Sequence, residues 1–85
     1  MSSKSAFKKA LQKLTTTVVD AEIAKGADEA TFEALRAESV AQRQALISAH
    51  AALSAELGGS ELPHQGWFEK TQSRAEALFG PLSSG

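Results

Sequence analysis

Two arginines and a histidine recur at seven-residue intervals, at Arg36, Arg43 and His50. In a helix this spacing places them along one side, and arginine forms paired hydrogen bonds with carboxylates and phosphates. They therefore have the chemistry of a recognition stripe for an acidic partner. A structural interpretation is also open, in which their stems lie in a groove between helices and their polar ends pair with nearby acids. Those acids are Asp20, Glu22 and Glu33.

The remaining candidates for chemistry are sparse. His50 and His64 are the only histidines, and His50 has no carboxylate three or four residues away, the spacing that a helical metal site needs. Glu61 precedes His64 by three residues, but in a connector bounded by glycine and proline. The chain has no cysteine, no tyrosine, no Gly-x-Ser-x-Gly turn and no glycine-rich phosphate loop. We expect no metal, no cofactor and no enzymatic activity.

Basic residues crowd the start of the chain. Lys4, Lys8, Lys9 and Lys13 give the first 14 residues a charge of +4 with no acid. Four interpretations are open: the lysines face the negative C-terminal end of the second helix, dock on an acidic protein, pair head to tail with the acidic turn of a second copy, or contact nucleic acid. The net charge of −1 and the lack of a recognisable recognition helix disfavour nucleic acid.

Helix-forming residues dominate the chain, and glycine and proline mark the ends of the predicted helices. We predict a single all-α domain over residues 1–85: a long antiparallel hairpin of helix one (about 5–25) and helix two (about 29–57), a connector (58–66) and a shorter helix three (about 67–79). Gly26 suits a left-handed residue after helix one, and Asp28 is placed to cap helix two. The arrangement closes either as a three-helix bundle or as a dimeric helical bundle.

Helix one carries two apolar stripes. Its main stripe has the four-three spacing of packed helices and consists of Phe7, Leu11, Leu14, Val18 and Ala21. Val19 and Ile23 lie about 100 to 140 degrees around the helix from Val18, so they need another partner. Either helix three covers them, or they form an interface with a subunit or target.

Helix two is unusually poor in charge, since Arg43 is the only charged residue between 39 and 55. Its apolar edges imply two neighbours, and we predict that it is the central helix of the fold. A further side, lined by alanine and serine from Ala34 to Ala55, is open to two interpretations. It either permits close approach of another backbone or is solvated helix-forming filler.

Trp67 is the only tryptophan and follows Gly66 at the start of helix three. Tryptophan is both a frequent interface anchor and a natural plug for a small helical core. We expect helix three to fold back over the hairpin and bury four large side chains. These are Trp67, Phe68, Leu78 and Phe79.

Helix one also carries a resemblance. The pattern Phe7-x-x-Ala10-Leu11-x-x-Leu14, ending at Gly26, resembles the small subunit of bacterial exonuclease VII, another short helical hairpin. The resemblance covers less than a third of the chain and implies a hairpin fold. We transfer neither function nor residues from it.

The sequence favours an interaction protein over an enzyme. The leading prediction is a small cytoplasmic adaptor or inhibitor, of the kind bacteria and phages use to modulate a larger protein. Its candidate interface residues are Val19, Ile23, Arg36, Arg43, His50 and Trp67. The alternatives are a nucleic-acid accessory protein that uses the lysine end, and a self-assembling structural component that uses Val19, Ile23 and the alanine-lined side. No apolar run is long enough for a membrane span.

Overall fold

The computed structural model describes residues 3–59 and 61–82. It contains α1 (Ser3–Ala24), α2 (Glu29–Leu57) and α3 (Gln65–Phe79), with no strand in the described part of the chain. The all-α hairpin with a shorter third helix is therefore confirmed. The ends of the predicted domain and Ser60 of its connector lie outside the described residues.

The turn between α1 and α2 is made by a glycine and a capping aspartate. Gly26 has a φ of +82°, a conformation that side-chain-bearing residues rarely adopt. The Asp28 carboxylate accepts hydrogen bonds from the Thr31 hydroxyl at 2.7 Å and from the Thr31 backbone N–H at 3.2 Å. These two bonds stabilise the charged carboxylate and lower the pKa of Asp28. The short turn makes the two helices antiparallel.

α2 ends at a left-handed glycine, and α3 begins earlier than the sequence predicts. Gly58 has a φ of +58° and donates its N–H to the Ser54 carbonyl at 3.1 Å. α3 starts at Gln65 rather than at Trp67, directly after His64, which takes a left-handed φ of +59°. α3 runs in the same direction as α1: Phe68 near its start contacts Phe7 near the start of α1, and Arg74 further along pairs with Glu22 near the end of α1.

The core is centred on α1. This helix buries seven residues, which include the whole main apolar stripe. α2 contributes Leu46 and Leu53 to the core, and α3 contributes Phe68 and Ala75. The expected burial of helix three is only partly met, since Phe68 is buried whereas Trp67, Leu78 and Phe79 are half-buried.

The prediction that helix two is the central element is wrong. α1 packs on α2 along one side and on α3 along another. α2 buries only four of its 29 residues, because α3 lies mainly against α1. α3 also leaves Val19 38% and Ile23 72% exposed, so it is not the cover that one interpretation assigned to this pair.

Candidate functional site

Arg43 is a buried cation that no carboxylate neutralises. The residue is 5% exposed, and its Nη1 donates to the Gly80 carbonyl oxygen at 3.0 Å. Gly80 lies at the C-terminal end of α3, where a positive charge is favoured by the helix dipole. Within the part of the chain that the structure describes, no acidic side chain forms an ion pair with Arg43. The expected pairing with a nearby acid is absent for this arginine.

Arg36 lies one helical repeat away from Arg43 and is much more accessible. Its Nη1 is 3.4 Å from Glu33 Oε2, and the two side chains are 54% and 63% exposed. Ser39 lies between the two arginines and is fully buried, with its hydroxyl donating to the Arg36 carbonyl oxygen at 2.6 Å. Ser39 thus has its only hydroxyl proton committed to the helix backbone.

Arg36 and Arg43 line the same small cleft. Its volume is about 150 Å³, and its other walls come from α2 and from the chain around the end of α3. We call it the arginine cleft; the remaining lining residues are Ser39, Val40, Phe79, Pro81 and Leu82. The cleft combines two cationic groups with apolar walls, which suits a small anionic group attached to apolar chain.

His50 does not belong to this cleft. Its imidazole stacks on the Phe68 ring with 4.1 Å between centroids and 5° between planes. Its Nε2 is 3.3 Å from Gln65 Oε1. The seven-residue spacing therefore brings Arg36 and Arg43 to a common site, whereas His50 lies in the contact between α2 and the start of α3.

Between the arginine cleft and Glu56, the exposed side of α2 carries no charge. Ten exposed residues lie between positions 40 and 55, and none of them is acidic or basic. They extend about 22 Å along the axis and cover roughly half the circumference of the helix. We call this surface the α2 outer face; it consists of Val40, Ala41, Gln44, Ala45, Ile47, Ser48, Ala51, Ala52, Ser54 and Ala55.

Two large aliphatic side chains stand out on the α2 outer face. Val40 is 43% exposed and Ile47 is 44% exposed, and their seven-residue spacing puts them about 20 degrees apart around α2. The surrounding alanines and serines are small, so both side chains project above their neighbours. Val40 also lines the arginine cleft, which makes the cleft and the face one continuous surface.

Val19 and Ile23 form a separate and smaller patch on α1. Both are exposed, but they alternate with Asp20 and Glu22, which are also exposed. The Glu22 carboxylate is paired with the Arg74 guanidinium of α3. Charged groups therefore border this patch, in contrast to the α2 outer face.

The four lysines are all exposed and do not form a single stripe. At 100 degrees per residue, Lys4 and Lys8 lie on one side of α1, and Lys9 and Lys13 lie about 100 to 140 degrees away from Lys8. Lys4 lines a groove at the open end of the hairpin together with Glu56 and Glu61. This groove, about 550 Å³ in volume, places Lys4 beside the C-terminal end of α2.

Trp67 anchors α3 to α1. Its indole Nε1 donates to the Thr15 hydroxyl at 2.9 Å, and that hydroxyl donates to the Leu11 carbonyl oxygen at 2.7 Å. The indole is half-buried and packs against the core, so these contacts give Trp67 a structural role in the fold.

Sequence reasoning identified Arg36 and Arg43 but not the apolar walls of the cleft. The sequence does mark Val40 and Ile47, because they lie in a stretch of α2 whose only charged residue is Arg43. Phe79, Pro81 and Leu82 carry none, because they join the cleft only through the path that the chain takes after α3.

No group of three or more His, Asp or Glu residues in the described ranges is arranged to hold a metal ion. None of α1, α2 and α3 combines the length and apolar character needed to cross a bilayer.

Comparison of the chain with protein-family models, with curated proteins and with solved structures finds no match.

Proposed function

We propose that this protein is a non-enzymatic helical adaptor or inhibitor that binds a larger protein through the α2 outer face. The observation that carries the proposal is the absence of charge from ten exposed residues of one helix. A helix that faces only water typically presents charged residues on its exposed side. The proposal includes a cytoplasmic location, which stays a prediction from the sequence.

The rest of the molecule provides the contrast that supports this proposal. Of the twelve exposed residues of α1, six are charged, namely Lys4, Lys8, Lys9, Lys13, Asp20 and Glu22. Of the six exposed residues of α3, Glu69, Lys70 and Glu76 are charged. The exposed residues of α1 and α3 are therefore charged in about half of the cases, whereas α2 keeps its exposed charges at its two ends and has none between positions 40 and 55. Depletion of charge is typical of the core of a protein interface.

A protein partner is better supported than nucleic acid. Nucleic-acid binding depends on cations that follow the phosphate backbone, and the four lysines of α1 are split between two sides of the helix. The α2 outer face has no cation to contribute. The alternative of a nucleic-acid accessory protein therefore has less structural support.

The experiment compares two exposed isoleucines on different helices. Ile47→Glu places a charge in the centre of the α2 outer face, and Ile23→Glu places the same charge on α1, where the residue is 72% exposed. Each variant and the unmodified protein serve as bait in an extract of the native organism, and partners that bind in a fixed stoichiometry are identified by mass spectrometry. Capture that is lost with Ile47→Glu and retained with Ile23→Glu is the expected result. Capture lost only with Ile23→Glu would place the interface on α1 instead.

Self-assembly is a second candidate, and the small residues of the α2 outer face favour it. Alanine and serine on the α2 outer face would let a second α2 approach closely. Sedimentation at increasing concentration tests this: an oligomer that Ile47→Glu dissociates supports self-assembly, and a monomer throughout the range rejects it.

A further inference from the structure

Within residues 3–59 and 61–82, Arg43 of the arginine cleft forms no ion pair with an acidic side chain. Arg43 is buried, and its only hydrogen-bond partner in the described chain is the neutral carbonyl of Gly80. Among the described residues Gln42 Oε1 is the only fully enclosed side-chain polar atom without a partner, so the other guanidinium nitrogens of Arg43 stay accessible from the cleft and can donate to an anion there. An anion that enters the cleft would supply the missing partner.

The charge of the cleft matches a single monoanion. Arg36 and Arg43 contribute +2, and Glu33, which pairs with Arg36, contributes −1, so the local sum is +1. Nη1 of Arg43 already donates a hydrogen bond to the Gly80 carbonyl oxygen. A carboxylate with a charge of −1 balances this site, whereas a phosphate group, with a charge of about −2 at neutral pH, overshoots it.

The size and walls of the cleft fit an amino-acid side chain. Its volume of about 150 Å³ lies below the range of about 300 to 1,000 Å³ that is typical of small-molecule sites. Phe79, Pro81 and Leu82 line it with apolar surface next to the two arginines. An acidic side chain flanked by aliphatic residues would satisfy both parts of the cleft.

We propose that the arginine cleft binds an aspartate or glutamate carboxylate from the protein that docks on the α2 outer face. Arg36 and Arg43 bind the carboxylate oxygens, and the apolar wall accepts an aliphatic side chain next to the acid. The inference rests on the proposed function, because Val40 belongs to both surfaces and one partner would cover both. It assigns that partner an acidic residue beside an apolar one.

The test uses two capped tripeptides as probes, acetyl-Leu-Asp-Leu-amide and acetyl-Leu-Asn-Leu-amide. The chain has three arginines, Arg36, Arg43 and Arg74, so the Nε–H groups of a ¹⁵N-arginine-labelled sample give three resonances that single variants assign. The titration is run at mildly acidic pH, where the aspartate of the probe, with a pKa of about 3.9, stays ionised. Arg74, which is paired with Glu22 on the exposed surface of α3, is the internal control.

The expected result is a saturable shift of the Arg36 and Arg43 resonances with the aspartate peptide and not with the asparagine peptide. Arg36→Gln should weaken binding about tenfold, because it removes a charged donor. Arg74→Gln should leave binding unchanged. Arg36→Gln is the primary variant because Arg36 is exposed, whereas removal of the buried Arg43 also breaks its contact with α3.

Three results would each overturn the inference. The first is an equal shift with the two peptides, which means that only the apolar wall binds. The second is a response of Arg74 as large as that of Arg43, or no response of Arg43 at all. The third is a tighter, saturable effect of inorganic phosphate on the same resonances, which assigns the cleft to phosphate. The titration reports on the arginine cleft and the capture experiment on Ile47, so failure of the inference can be distinguished from failure of the proposed function.

Discussion

α1 and α2 differ in where they place their apolar surface. α1 has 22 residues and buries seven of them, and half of its exposed residues are charged. α2 has 29 residues and buries four, and its outer face carries no charge. α1 therefore behaves as a core element, whereas α2 supplies one wall of the core and leaves an apolar surface exposed. The difference is the basis of the proposal that α2 serves binding, whereas the burial of α1 stabilises the fold.

The largest difference in stability is expected between truncation of a buried side chain on α1 and truncation of an exposed side chain on α2. Leu14→Ala removes a fully buried side chain of α1 and should lower the free energy of unfolding by about 2 to 5 kcal/mol. Ile47→Ala removes an exposed side chain of α2 and should change it by no more than about 0.5 kcal/mol. Urea unfolding followed by circular dichroism measures both. A loss for Ile47→Ala as large as that for Leu14→Ala would show that the α2 outer face is already covered in the isolated protein.

The hydrogen bond between Trp67 and Thr15 attaches α3 to α1, and its contribution to stability can be measured. Trp67→Phe and Thr15→Val each remove the indole–hydroxyl hydrogen bond, and the interaction energy from a double-mutant cycle should be about 0.5 to 1.5 kcal/mol. Thr16→Val, at an exposed neighbouring position, is the control and should show no coupling to Trp67→Phe. Absence of coupling for Thr15→Val would mean that this hydrogen bond does not help to hold α3 on α1.

A weaker contact joins the same two helices. Glu22 and Arg74 form an ion pair whose side chains are 40% and 39% exposed. Glu22→Gln should lower the unfolding free energy by about 0.2 to 1 kcal/mol, and most of this difference should vanish at high salt, because exposed pairs are screened. Unfolding of both proteins at low and high ionic strength checks this. A difference that persists in high salt would assign Glu22 a role other than charge.

The smallest effect concerns the cap at the start of α2. Because hydrogen bonds from Thr31 lower the pKa of Asp28, its carboxylate stabilises the fold above the ordinary pKa of 3.8, and this contribution is lost as pH falls through the lowered value. Asp28→Ala should be less stable than the unmodified protein at neutral pH, and the difference should shrink in acid. Asp28→Asn, which caps without titrating, is the control for thermal unfolding across this range. A difference that grows in acid would contradict the cap assignment.

The sequence predicted the helices better than their arrangement. Gly26, Asp28 and Gly58 act locally, so their effects on turns and helix ends can be read from neighbouring residues. The choice of central helix was wrong because periodicity shows how much surface a helix must bury but not which neighbour buries it. That choice depends on contacts such as Trp67 with Thr15, which are 52 residues apart.

In the candidate site, too, the sequence predicts the features set by local spacing but not those that depend on contacts between distant residues. Arg36 and Arg43 were predicted to act together because their spacing along one helix determines their proximity. His50 shares the spacing but meets Phe68 instead, since α3 begins at that level of α2. The apolar walls of the arginine cleft come from the chain that follows α3, and no local pattern marks them.

The most direct test of the α2 outer face is its accessibility with and without the captured partner. The chain has no cysteine, so Ile47→Cys and Ile23→Cys each introduce a single thiol on an exposed helix surface. The rate of labelling by a thiol reagent should be high for both variants alone, and the partner should slow it strongly at position 47 only. Equal labelling at position 47 with and without the partner, or protection at position 23 alone, would contradict the assignment of the α2 outer face as the binding surface.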